Sequence, residues 1–141
     1  AGSKLDQSIN ILEQAVRRAD RDQRRSVQLD LLGKLVDKMF LLSEHIHATD
    51  GYGYTLFMVV QRGREQMPER VGGFVSTVQK LKQSQDELIE QATEAMAKAS
   101  ELADELRSGE LESLVTQYEE QIKAYDQRIQ DRDLEEFAEQ P

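Results

Sequence analysis

The chain has 141 residues, of which 32% are charged and only 6% aromatic, with a net charge of −9, no Trp and no Cys. Such a length holds one domain, the composition is that of long helices and coiled coils, and the negative balance disfavours generic nucleic-acid binding. Missing cysteines exclude disulfides, thiol catalysis and cysteine-based zinc sites, while the absence of a signal-peptide apolar region and of any run near the ~18 apolar residues of a membrane span favours a cytoplasmic location.

The amino-terminal third carries two helical stripes. Leu5, Ile9, Leu12, Val16 and Ala19 form the first, and Leu32, Leu35, Met39, Leu42 and Ile46 the second, widened by Leu31, Val36 and Phe40. The two are out of phase, but a path of mostly four-residue steps through Val16, Ala19, Gln23, Val27, Leu31, Leu35 and Met39 joins them, with no Gly or Pro between 19 and 28. The spacing therefore predicts one long helix over about 4–47 with a drifting apolar face; a break near Ser26 is the alternative.

Within that helix lies "AVRRADRDQRR", with Arg17, Arg18, Arg21, Arg24 and Arg25 against Asp20 and Asp22. A solvated face with i,i+4 ion pairs accounts for such a run. Its functional reading is a docking surface for an acidic partner helix, either residues 131–139 of this chain or another copy, since residues 101–141 carry a strong acid excess. Further on, Glu44 and His47 have Glu-x-x-His spacing, which places both on one helix face, as in carboxylate-bridged di-metal bundles. A site of that type needs a second such pair. The chain's two histidines both lie near the expected helix end, where the carboxyl-terminal dipole suits them. No metal or other cofactor is expected, and neither "GYG" nor "VGG" has the pattern of a phosphate loop.

Residues 49–74 differ from everything around them. From 51 to 74 the chain holds five of its eight glycines, half of its aromatics and its only proline before Pro141. "TDGYG" has turn chemistry, and "YTLFMVV" suits a short buried helix over about 54–65 that ends before Pro68, because the residue preceding proline avoids the helical region. The segment is expected to reverse the chain. As a cap it would plug the end of the core with Leu56, Phe57, Val59 and Val60. As an interface it would present Tyr52, Tyr54, Phe57, Met58 and Phe74, residue types that dominate the cores of protein contacts.

The third element has the clearest pattern. Val71, Phe74, Val78, Leu81, Gln85, Leu88, Ala92, Ala95, Ala99, Leu102 and Leu106 follow three- and four-residue steps with one polar exception, Gln85. Val75, Ile89, Met96 and Ala103 widen this stripe beyond a two-stranded seam, as a wall of a larger bundle requires. Gln85 reads as a polar layer that sets register. The pattern breaks at "RSGE", where Gly109 suits the end of a helix spanning 69–107. It resumes out of phase as Leu111, Val115, Tyr118, Ile122, Tyr125 and Ile129, predicting a last helix over about 111–135.

These elements together predict a single all-α domain: an antiparallel long-helix bundle of three long helices plus one short capping helix, with coiled-coil-like packing. The expected function is a non-enzymatic interaction or assembly module. It would form a homo-oligomer or dock a partner protein through its tip or its long apolar faces. The alternatives are a ligand-sensing four-helix-bundle domain from a membrane receptor and, third, a metal-dependent enzyme using Glu44 and His47.

Overall fold

The computed structural model describes residues 3–134 and 136. The fold is all-α: four α-helices, α1 (Ser3–Arg18), α2 (Arg21–Gln66), α3 (Val71–Leu106) and α4 (Glu112–Gln130), with 3-10 turns at Pro68–Arg70 and Gly109–Leu111 and no strand among the described residues.

The expected helix over 4–47 is corrected twice, by a break within it and by its continuation past 47. It breaks at Ala19–Asp20, where Asp20 leaves the helical region (φ −74, ψ 173) and its carboxylate accepts from the Gln23 amide at 3.1 Å. This is an N-cap three residues before a glutamine, a helix-start signature that needs neither Gly nor Pro. The break lets α1 fold back along α2, so that Asp6 reaches Lys38 at 2.8 Å and Ile9 joins Leu31, Leu32, Leu35 and Met39 in one cluster.

At its other end, α2 does not stop at 47. It runs through "TDGYG" to Gln66, 46 residues in all, or roughly 69 Å at 1.5 Å per residue. There is no separate helix over 54–65 and no turn at Asp50–Gly53. The reversal falls at Met67 (φ −146, ψ 69), with Pro68 opening the following 3-10 turn, where its missing N–H is least costly. Gly53 serves close approach: a β-carbon there would collide with Leu134 Cδ1 and lie 3.5 Å from Leu81 Cδ2. At the other chain reversal Gly109 has φ +63, the left-handed conformation that glycine adopts at least cost. Arg25 stabilises this corner by donating to the carbonyls of Leu106 (3.3 Å) and Ser108 (3.1 Å).

Along α2 and α3, partners run in opposite numerical order. Gln28 donates to Glu105, Gln85 meets Ile46 and Thr49, and Gly53 lies by Leu81. Ala92, Ala95, Ala99 and Ala103 are all buried on α3, and small side chains permit the two backbones to approach closely. Helix α4 follows α2 in the same numerical direction: Tyr118 lies at Gly33, the Tyr125 ring packs tilted against Phe40 with centroids 5.4 Å apart, and Arg128 pairs with Glu44.

The core falls into three successive clusters, and each has fewer helices than the last. The first draws on all four, with Ile9, Leu35, Ala99 and Val115 among its members. The second, Leu42, Ile46, Ala92 and Ile129, draws on α2, α3 and α4. The third joins Leu56 and Val78 to Leu134 alone. Between the last two lies a polar layer: buried Gln85 donates to the Ile46 carbonyl (3.3 Å), Thr49 Oγ1 (3.0 Å) and Asp50 Oδ1 (3.5 Å). Asp50 Oδ1 also accepts from the amides of Asp133 (2.7 Å) and Leu134 (2.6 Å), holding the segment after α4 against α2.

Two stability predictions follow from these contacts. Gly51, which has nothing within 4 Å of its β-position, should gain about 1 kcal/mol in urea unfolding as Gly51→Ala through helix preference. Gly53→Ala should gain less or lose stability, with faster hydrogen exchange at the Leu134 amide; equal gains would show that Leu134 does not depend on Gly53. Asp50→Ala should cost about 1–2 kcal/mol and Asp50→Asn less, because Asn also caps amides; equal losses would show that the side-chain acceptor is not what matters.

Candidate functional site: the two-helix tip

Among the described residues, only α2 and α3 are seen to continue past the level of Leu134, joined by the turn at Met67–Arg70. From Gly53 to Gln66 this hairpin extends roughly 20 Å at 1.5 Å per residue. A pair of helices has no third wall against which to bury a wide apolar face. Leu56 and Val60 still find cover, at 7% and 5% exposure, but their neighbours do not. Among the described residues ten large apolar side chains are exposed, and six of them lie between Tyr52 and Phe74: Tyr52, Tyr54, Met58, Val59, Met67 and Phe74. They are therefore a concentration at one end and not the scatter usual for a protein surface.

The interface residues expected from sequence fall here together. Tyr52 and Tyr54 are more than half exposed, Met58 and Phe74 about two-fifths, and Phe57 is half-buried. The cap reading is corrected in part: Leu56 and Val60 are core, Val59 is exposed and Phe57 lies between. The hairpin also encloses an open cavity of about 360 Å³, lined by Val59, Met67, Val71 and Phe74 together with Arg62, Gly63, Gln66 and Arg70. Sequence reasoning missed Val59, Met67 and both arginines as surface features. They meet only because the chain reverses at Met67, later than "TDGYG" suggests, and the signal that placed the turn correctly was Met67–Pro68 itself.

The five arginines of the amino-terminal cluster lie at the opposite end. Arg17 and Arg18 close α1, Arg21 and Arg24 open α2, and all are exposed. Arg25 is engaged with the carbonyls at the end of α3. The described part of the proposed acidic partner, residues 131–134 and 136, does not dock there. Its Asp133 and Leu134 sit at Asp50–Gly53, roughly 37 Å along α2 from Arg25; residues 135 and 137–139 lie outside the described residues.

Glu44 is drawn into its ion pair with Arg128, and His45 and His47 are exposed. Among the described residues no three His, Cys, Asp or Glu side chains are grouped as a metal ion would require, and no helix is long and apolar enough to cross a membrane.

Truncation should separate core from surface at the tip. Leu56→Ala should cost about 2–5 kcal/mol as a buried large-to-small change, whereas Met67→Ala and Phe74→Ala should each stay within about 0.5 kcal/mol, read by chemical denaturation. A large loss from the latter pair would make them core, contrary to their exposure. No family model, curated protein or solved structure matches this chain.

Proposed function

We propose that the chain is a non-enzymatic interaction and assembly module: a single antiparallel long-helix bundle, packed in coiled-coil fashion, that binds protein through its two-helix tip. One observation carries this reading, namely the concentration of exposed apolar side chains where the core thins from three helices to two. The arrangement matches the anatomy of protein contact sites, with aromatic, Met and Arg side chains grouped around an apolar centre. Tyr52, Tyr54, Phe57, Met58 and Phe74 act in it as contact residues, with Val59 and Met67 extending the surface. The arginine cluster serves chiefly as a solvated corner in which Arg25 anchors the α3–α4 turn.

A photo-crosslinking residue at position 74 should form discrete protein adducts in the native cell. The same residue at position 114, on α4 and comparably exposed (37% against 42%), should not. Absence of an adduct from position 74, or an identical diffuse pattern from both, would overturn the reading.

A further inference from the structure

Resting on the assignment of the tip as a contact surface, we infer that its occupant is the tip of a second copy of this chain, met antiparallel across a twofold axis. The first reason is the number of helices. Among the described residues the core draws on four helices where it is thickest and on two at the tip. Two tips laid side by side restore four helices around one apolar centre, an arrangement in which wide helix faces are buried. Val59, Met67 and Phe74 of each copy would supply that centre.

The second reason is charge. The tip carries Arg62, Arg64 and Arg70 against Glu65 and Glu69, and all five are exposed. None of them is ion-paired within the chain among the described residues, although ion pairs occur elsewhere on α2, α3 and α4. Both arginines that line the cavity, Arg62 and Arg70, have glutamates close by in sequence, and a twofold axis presents every contact twice. Glu65 and Glu69 flank the cavity in sequence without lining it, so that Arg62 and Arg70 of one copy can meet Glu65 and Glu69 at the rim of the other, and the reverse, using charges with no ion-pair partner among the described residues. A wholly acidic partner would satisfy the arginines but leave both glutamates facing like charge.

The third reason is repulsion. Copies carrying −9 each repel one another on average, but the tip, with three arginines against two glutamates, is a place where they can meet. Contact by the tips alone directs the acidic remainder of each molecule away from the other.

The test is a charge exchange read by size exclusion with light scattering, with circular dichroism confirming folded helices. Wild type should have the mass of a dimer. Arg62→Glu with Arg70→Glu, and separately Glu65→Arg with Glu69→Arg, should each weaken dimerisation at least tenfold, as expected when like charges are opposed across an interface. An equimolar mixture of the two variants should return to dimer mass. A wild type that is monomeric at millimolar concentration, or a mixture no heavier than its components, overturns the inference. In that event a crosslink from position 74 to a different protein would still support the tip as a contact surface, and its absence would remove both.

Discussion

A helix of 46 residues can bury its apolar face only as far as its neighbours accompany it, and this coverage governs the molecule. Of the partners of α2, only α3 at 36 residues is of comparable length; α1 has 16 and α4 has 19. Each shorter helix ends at a different point along α2, and the group of exposed apolar residues from Tyr52 to Phe74 lies past the reach of α4. The tip is thus a consequence of unequal lengths, and no special motif is needed to create it.

Coverage alone would leave the helices free to slide, since an apolar stripe at helical spacing fits a neighbour in more than one position. Polar contacts between helices remove that freedom. Gln85 is 1% exposed and its amide is satisfied only where Ile46, Thr49 and Asp50 stand opposite it; sliding α3 by one turn would strand a buried donor, at a cost of about 1–3 kcal/mol. Asp50 couples the same layer to the segment after α4, and Leu134 enters the space beside Gly53. One glutamine, one aspartate and one glycine therefore set register and decide where three-helix packing ends and the bare hairpin begins.

The regular parts were legible because their signal is periodic and local. The stripe from Val78 to Leu106 and the stripe from Val115 to Ile129 supply most of the buried residues of α3 and α4. Phe74 carries the same spacing and is nevertheless exposed, because periodicity reports which face a residue shares and not whether anything covers that face. The contact surface was legible in part for the same reason. Tyr52, Tyr54, Phe57, Met58 and Phe74 stood out by residue type, whereas Arg62 and Arg70 acquire meaning only when the hairpin brings them to one cavity.

The misread boundaries have one physical cause: turn residues state a local preference, and packing can override it. Asp20 and Gln23 encode a helix start as sequence alone, and a continuous path of apolar steps concealed it. Gly51 and Gly53 resemble a turn, yet helix continues through them: the missing side chain at 53 leaves room for Leu134, and the α2–α3 contact continues past it. By itself the sequence determined the all-α class, the apolar stripes of α3 and α4 and the helix ends at Pro68 and Gly109, because these depend on periodicity and on backbone limits within a few residues. The tertiary structure decided how far α2 runs, that α1 folds back on it and which apolar residues remain uncovered, because each depends on how far a partner helix reaches.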